Sequence, residues 1–121
     1  MTPSSAKRKG RDTENAVVAF LQAHGWPHAE RRRLNGTADR GDIAGSPGVC
    51  WEVKSSDQER GVAMREAERE RETDGADVGV VVERRRGYPA GEWYATVPLG
   101  VMCRLLRECG YGDDATTEGA A

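Results

Sequence analysis

The stretch that decides the fold covers residues 41–55 and reads Gly41-Asp42-Ile43-Ala44-Gly45-Ser46-Pro47-Gly48-Val49-Cys50-Trp51-Glu52-Val53-Lys54-Ser55. Its middle, residues 45–48, holds two glycines and a proline. Such residues favour a turn and do not continue a strand. The flanking segments 40–44 and 49–55 contain the β-branched and aromatic residues that strands prefer. We therefore predict two short strands joined by a tight turn.

Helices and strands are predicted to alternate on both sides of this stretch. The remaining predicted elements are a helix over 12–24, a strand over 28–34, a charged helix over 56–73, strands over 78–82 and 93–97, and a helix from 98 to about 110. Asp12 is the predicted N-cap of the first helix, and Gly25 is its predicted stop. The valine-rich run 78–82 has the pattern of a strand buried on both faces. The order α-β-β-β-α-β-β-α predicts an α/β sandwich with a mixed central sheet.

The length of 121 residues predicts a single folded domain. We expect residues 1–10 to be a flexible basic arm, residues 11–112 to fold, and residues 113–121 to form a disordered acidic tail. A hydrophobic fraction of 37% predicts a thin core, which a homodimer would extend. The apolar side of the last helix, Leu99 to Leu106, is a candidate dimer surface. The alternative is that this helix packs on the sheet.

The cysteine pattern predicts reduced thiols. Cys50, Cys103 and Cys109 form no Cys-x-x-Cys pair, and no secretory signal opens the chain. No apolar run is long enough to cross a bilayer. We therefore expect a cytoplasmic protein of a prokaryotic or phage-infected cell, without a membrane partner. The two histidines, His24 and His28, lack the spacing of a zinc site.

The carboxylates of the opening stretch predict a metal site. If its two strands form an antiparallel hairpin centred near Pro47, then Asp42 and Glu52 face each other with Cβ atoms about 4.5–5.5 Å apart. Carboxylates this close repel each other unless one takes a proton or a cation lies between them. Mg²⁺ binds such oxygen ligands, and the backbone carbonyl of Val53 is an available third one. The alternative is a surface hairpin with a cluster of salt bridges.

Two further residues complete the candidate site. Strand alternation puts Lys54 on the same face as Glu52, where it can hold an attacking water or offset the charge of a phosphate. Glu14 lies on the side of the first helix that carries the apolar residues. There it can serve a second metal or orient the water. The alternative for Glu14 is an acid of the first helical turn, favoured by the helix dipole.

Basic residues cluster beside these acids and predict contacts with the phosphates of a nucleic acid. The alternative for each cluster is a solubilising surface. A further basic cluster lies at Arg84 to Arg86. The residues that we predict to contact DNA are Lys7, Arg8, Lys9, Arg11, Arg31, Arg32, Arg33, Thr37, Arg40 and Ser55.

In these residues the chain resembles the PD-(D/E)XK nuclease superfamily, and within it the small archaeal-type and phage-type Holliday-junction resolvases. The similarity extends from about Lys9 to Glu83. It rests on Gly10-x-x-x-Glu14, Gly25-Trp26, the arginine-rich strand, Gly41-Asp42-Ile43-Ala44 and Glu52-Val53-Lys54-Ser55. The resemblance implies a restriction-endonuclease-like α/β/α core with Mg²⁺ or Mn²⁺ as cofactor. It also implies that Asp42 and Glu52 bind the metal, that Lys54 is the catalytic lysine and that Glu14 is the helix carboxylate.

The resemblance further implies a homodimer that cuts branched or duplex DNA, although the chain departs from the family pattern at two places. Gly41 stands where the family has a proline, and the loop that carries a serine in some resolvases has Thr37 as its hydroxyl. Asp39 is a competing acid, but Asp42 stands on the strand. We expect a metal-dependent, structure-specific DNA endonuclease, most closely a Holliday-junction resolvase. The alternatives are another repair, recombination or restriction-type nuclease of the superfamily, and a nucleic-acid-binding protein that does not cleave.

Overall fold

The predicted order α-β-β-β-α-β-β-α is confirmed by a computed structural model, which describes residues 3–32, 40–55 and 60–113. A short 3-10 helix, Ala90–Glu92, precedes the last strand. The helices are α1 (Pro3–Ala23), α2 (Arg60–Asp74) and α3 (Leu99–Glu108), and the strands are β1 (Glu30–Arg31), β2 (Ile43–Ala44), β3 (Val49–Lys54), β4 (Val78–Glu83) and β5 (Tyr94–Thr96).

The central sheet is mixed, as predicted, and has the strand order β3-β4-β5. β3 runs parallel to β4, and β5 runs antiparallel to it. Every residue from Val78 to Val82 is buried, which confirms the prediction of a strand covered on both faces. In this register Lys54 pairs with Glu83, and Glu83 pairs with Tyr94.

One face of the sheet is covered by α1 and, more lightly, by α3. Val17 and Leu21 of α1 form a buried cluster with Val53 and Val82 of the sheet. Val101 and Leu105 of α3 pack against the same cluster while staying partly exposed. The outer side of α3 is open: Leu99 is 78% exposed and Met102 and Leu106 are 38% and 43% exposed. The last helix thus packs on the sheet along one side and presents apolar side chains on the other.

The opposite face of the sheet is covered by α2, which approaches it closely because the contact residues are small. Ala63 and Ala67 pack on the fully buried Val81. Gly79 of β4 lies under the same turn of α2, where an added Cβ would come within 3.2 Å of the Ala67 carbonyl oxygen. The acidic side chains of α2 are thereby brought near β3.

The first helix begins at Pro3, so the prediction that Asp12 is its N-cap is wrong. Residues 6–9 are strong helix formers and extend the helix upstream. The Thr13 hydroxyl donates to the Lys9 carbonyl, 2.8 Å away, as expected inside a continuous helix. The predicted stop at Gly25 is confirmed. Gly25 has φ +122°, and the Trp26 N–H donates to the Leu21 carbonyl.

The predicted hairpin between the strands of the opening stretch is also wrong. β2 pairs antiparallel with β1, so that Glu30 faces Ala44 and Arg31 faces Ile43. In the part of the chain that the structure describes, β2 and β3 form no ladder. Within the described residues, β1 and β2 cover two residues each. The N–H group of Val53 in β3 donates to the Asp42 carboxylate at 2.7 Å, so a side chain joins β3 to the segment that carries β2.

Some predictions fall on residues that the structure does not describe. These are Arg33, Thr37 and Asp39, the start of the second helix at 56–59, and the tail from residue 114. Among the described helices, none combines the length and the apolar character needed to span a membrane.

Candidate metal centre

The candidate site lies between β3 and α2. Glu52 and Lys54 alternate with Val53 along β3, and Val53 belongs to the core on the α1 side. Glu52 and Lys54 therefore lie on the α2 side. The Lys54 Nζ atom is 2.8 Å from Glu52 Oε2 and 3.3 Å from Glu66 Oε1. The predicted pairing of Glu52 and Lys54 on one face is confirmed.

Three glutamates form what we call the acid cluster: Glu52, Glu66 and Glu70. One carboxylate oxygen of each lies within 4.8 Å of the others. Glu52 and Glu70 are each only 6% exposed, so water screens their mutual repulsion poorly. Asp74 follows Glu70 by one helical turn and lies 3.5 Å from the guanidinium of Arg32. A line of carboxylates on α2 thus faces the buried acid of β3.

The surrounding acids keep Lys54 charged. Burial alone would lower the pKa of Lys54, but the hydrogen bond and charge of Glu52, and then those of Glu66, outweigh burial. The pKa of Lys54 is therefore raised above its ordinary value of 10.5. At neutral pH this side chain is an ammonium ion, a donor of hydrogen bonds and not a base.

The same electrostatic field acts on Cys50, which lies two residues before Glu52 on the same face of β3. Burial, followed by the negative charges of Glu70, Asp74 and Glu52, raises the pKa of the Cys50 thiol to about 12, against a smaller opposing effect of Arg32. The thiol donates to the Arg40 carbonyl at 3.3 Å. Cys50 therefore stays a neutral thiol, and its raised pKa indicates a negative electrostatic potential at the site.

Asp42 joins the site from the edge of β3. Its N–H donates to the Trp51 carbonyl at 2.8 Å, and its Oδ2 accepts the Val53 N–H at 2.7 Å. Asp42 therefore touches both backbone neighbours of Glu52. The N–H and C=O of one strand residue point to the same side, so the Val53 carbonyl also points toward Asp42. Asp42 is not, however, a member of the acid cluster that the described residues form.

The backbone conformation at residue 41 explains why glycine stands there. Gly41 has φ +95°, which a proline cannot adopt. A Cβ atom at Gly41 would come within 2.7 Å of the Cys50 sulfur and 3.0 Å of the Trp51 carbonyl oxygen. The close approach of this segment to β3 requires glycine and helps to put Asp42 beside Glu52.

The structure does not bring Glu14 to the acid cluster. Thr13, 1% exposed, lies one turn before Val17 and takes the core-facing position of α1. Glu14 lies beside it and binds the Arg31 guanidinium at 2.8 Å. Since α1 and α2 cover opposite faces of the sheet, the role of Glu14 in a site with Glu52 stays a prediction. Glu14 ties α1 to β1.

The predicted DNA-contacting residues fall into three groups. Arg31 and Arg32 are engaged within the chain, Arg31 with Glu14 and Arg32 with Asp74 and the Ile43 carbonyl. Arg33 and Thr37 lie outside the described residues. The third group is also exposed or partly exposed and consists of Lys7, Arg8, Lys9, Arg11, Arg40 and Ser55.

Sequence reasoning missed Glu66 and Glu70, which lie in the segment predicted only as a charged helix over 56–73. The available signal was spacing. Glu70 follows Ala67 by three residues and Ala63 by seven, so it lies on the side of α2 that faces the core. A glutamate at such a position is costly to bury unless a cation or a proton compensates it.

The donor set fits a hard divalent cation. Mg²⁺ binds carboxylate and carbonyl oxygens at about 2.0–2.1 Å, so two of its ligand oxygens lie up to about 4.2 Å apart. The oxygens of the acid cluster, within 4.8 Å of one another, need only a small adjustment. Mn²⁺ prefers the same oxygen donors.

No protein family, curated protein or solved structure matches this chain.

Proposed function

We propose that this protein is a metal-dependent, structure-specific DNA endonuclease, most closely a Holliday-junction resolvase. The observation that carries the proposal is the contact between Lys54 and Glu52, with Asp42 bonded to the backbone on both sides of Glu52. The helices on both faces of a mixed sheet support the restriction-endonuclease-like fold that the family resemblance implies.

Asp42, Glu52 and the carbonyl of Val53 are the proposed ligands of Mg²⁺ or Mn²⁺. Glu66 and Glu70 supply further carboxylates on the α2 side. When bound, such an ion lowers the pKa of a coordinated water and offsets negative charge on the phosphate. Because Glu52 and Glu70 are buried, bulk water has little access to this side of the site, and charge interactions there are stronger than at the surface.

Lys54 acts as a cation in this proposal. Its raised pKa keeps the proton on Nζ throughout the neutral range. The ammonium group can donate hydrogen bonds to a phosphate oxygen or to the attacking water, and it stabilises the negative charge that develops on the phosphate. Among the described groups of the site, the carboxylates are left as acceptors for the proton of the attacking water.

The exposed basic residues of α1 and Arg40 are the proposed contacts to DNA phosphates. Contacts of this kind position a substrate without reading its sequence, which suits an enzyme that recognises branched structure. A homodimer would present two such sites for two cuts, and the exposed apolar side of α3 is a candidate for its contact. The proposed location is the cytoplasm, where the free thiols of Cys50, Cys103 and Cys109 stay reduced.

The test is cleavage of labelled four-way junction, duplex and single-stranded DNA with Mg²⁺ or EDTA. Wild type is compared with Asp42→Asn, whose amide oxygen can still accept the Val53 N–H and so keeps the local fold. The exposed Asp77→Asn is the matched control. We expect paired nicks in the junction that disappear with EDTA and in Asp42→Asn but persist in Asp77→Asn. Wild-type protein that cuts none of the three substrates would refute the proposal.

The second candidate is a nucleic-acid-binding protein that does not cleave. It is favoured by the two ion pairs of Lys54, with Glu52 and Glu66, which by themselves form a satisfied structural cluster. In this case the protein binds junction DNA without cutting it, and Asp42→Asn leaves binding unchanged.

A further inference from the structure

An exposed group of aromatic and cationic side chains follows β4 and includes the start of β5. The guanidinium carbon of Arg85 lies 3.8 Å from the ring centre of Tyr88 and 4.3 Å from that of Tyr94. The two tyrosines are 47% and 56% exposed. We call these three residues the aromatic platform. Large exposed rings that lie together make this surface a candidate for binding a ligand.

Hydrogen bonds hold the aromatic platform in place. Arg85 Nη1 donates to the Glu92 carbonyl at 2.7 Å. The indole N–H of Trp93 donates to the Tyr88 carbonyl at 2.8 Å, and the Tyr88 N–H donates to the Arg85 carbonyl. Because the loop is already ordered, a ligand that stacks on these rings avoids much of the entropy cost of ordering them.

The sheet register puts the aromatic platform on the same face as Lys54. Tyr94 pairs with Glu83, and Glu83 pairs with Lys54. Directly paired residues lie on one face, with neighbouring strands about 4.8 Å apart, so Tyr94 is about 10 Å from Lys54 along this row. The ion pair between Glu83 and Arg60 of α2, at 3.0 Å, is consistent with this being the α2 face.

The chemistry of the aromatic platform fits an unpaired nucleobase. Proteins bind single-stranded nucleic acid by stacking its bases on aromatic rings and arginine planes inside a basic surface. Arg86, which follows Arg85 in the sequence, is exposed and adds a positive charge beside the aromatic platform. Arg84 points instead to α1, where its Nη1 donates to the Thr13 hydroxyl at 3.1 Å. Bases inside a duplex are stacked on one another and do not offer their faces. A branch point or a single-stranded end exposes the faces of its unpaired bases.

We infer that Tyr88, Arg85 and Tyr94 stack an unpaired base of branched DNA about 10 Å from Lys54. This inference rests on the proposed function, since it places the base on the strand that reaches the acid cluster. It also gives a physical reason for a preference for branched over fully paired DNA.

The experiment measures binding of labelled DNA in EDTA, so that cleavage plays no part. The probes are a thymidine oligonucleotide, an abasic strand of the same length, a duplex, and an RNA strand of the same sequence. The variants are Tyr88→Ala, Tyr94→Ala and Tyr94→Phe, each checked for an unchanged thermal unfolding curve. Tyr94→Phe keeps the aromatic ring. If an alanine variant fails to fold, the comparison of thymidine with abasic DNA in wild type still tests the inference, because equal binding of the two strands would overturn it.

Tyr111→Ala is the matched control. Tyr111 is 66% exposed and follows α3. Leu105 and Glu108 of α3 line a cavity with Val49 and Val78, the first residues of β3 and β4, whereas Lys54 and Glu83 are at the other ends of these strands. Tyr111 is therefore an exposed tyrosine at the far end of the sheet.

Stacking contributes about 1–3 kcal/mol per base, so each alanine variant should bind the thymidine strand about 5- to 150-fold more weakly. Tyr94→Phe and Tyr111→Ala should bind it like wild type. Wild type should bind the abasic strand and the duplex more weakly, and the alanine variants should no longer distinguish thymidine from abasic DNA.

Unchanged binding by both alanine variants would overturn the inference and show that the aromatic platform only orders its loop. Tighter binding of RNA than of DNA would overturn the assignment to DNA. Because the assay needs no metal, these results stay separate from the cleavage test. A protein that does not cut junctions can still show stacking, and a nuclease can lack it.

Discussion

Replacing Lys54 with methionine removes the ammonium group that lies 2.8 Å from Glu52 but keeps most of the apolar side chain. The Glu52 side chain is 8% exposed and that of Lys54 is 19% exposed, so water replaces the lost contact poorly. Removing one partner of a buried ion pair costs about 3–5 kcal/mol, because it leaves an uncompensated charge. We therefore expect Lys54→Met to be strongly destabilised at neutral pH.

Protonation limits this loss. A glutamate of the unfolded chain titrates near pH 4.3, so neutralising it costs about 3.7 kcal/mol at pH 7 and about 1 kcal/mol at pH 5. The expected loss in the free energy of unfolding is thus about 3–4 kcal/mol at pH 7 and about 1 kcal/mol at pH 5. In wild type the pKa of Lys54 is raised above 10.5, so at high pH its stabilising contribution is lost as the pH rises from 10.5 through this raised value.

The assay is urea unfolding followed by tryptophan fluorescence at both pH values. The double variant Glu52→Gln/Lys54→Met removes the orphaned charge and should recover most of the lost stability. Arg104→Met is the matched control. It breaks an exposed ion pair with Glu108 at 3.8 Å and should cost at most about 0.5 kcal/mol. A loss in Lys54→Met that is the same at pH 5 and pH 7, or a loss no larger than that of Arg104→Met, would refute the reasoning.

Three further results are expected. Mn²⁺ at ten times its dissociation constant should add about 1.4 kcal/mol, which for a chain of this length is a rise in Tm of about 5–6 °C, and Glu70→Gln should reduce the rise. Calorimetry showing no shift in wild type would contradict the metal site. At pH 8 a thiol reagent should modify the exposed Cys103 and Cys109 but not the buried Cys50, whose pKa is raised to about 12. Reaction of all three cysteines at the same rate would contradict the burial of Cys50. Light scattering should give the mass of a dimer, and Leu106→Glu should lower it because a charge on the exposed side of α3 opposes apolar contact. A monomer mass for wild type, with and without junction DNA, would rule out the dimer.

Local patterns predicted the parts of this fold that depend on neighbouring residues in the chain. The valine run of β4 is apolar on both faces, so it predicts burial without specifying which helices cover the strand. Gly25 ends α1 through its own backbone conformation. The alternation of Glu52, Val53 and Lys54 follows from strand geometry alone. These predictions are confirmed because a period of two, or a positive φ, is a property of a few consecutive residues.

The parts that sequence reasoning missed depend on which distant segment comes near. β2 can pair with β1 or with β3, and the choice follows from Asp42 taking the Val53 N–H, which no periodicity shows. Glu70 is buried because Ala67 and Gly79 let α2 approach the sheet. Glu14 lies on α1, which covers one face of the sheet, whereas the Glu52 side chain points to the other face, toward α2.

The crossover from β3 through α2 to β4 also has a consequence for how fast the chain folds. All members of the acid cluster lie within residues 52–70, so closing this one β-α-β unit brings three carboxylates together. Their repulsion acts in the folding transition state if this unit forms there, and such effects change the folding rate more than the unfolding rate. Refolding should therefore be faster at mildly acidic pH or with Mn²⁺ present, while the rate of unfolding changes little.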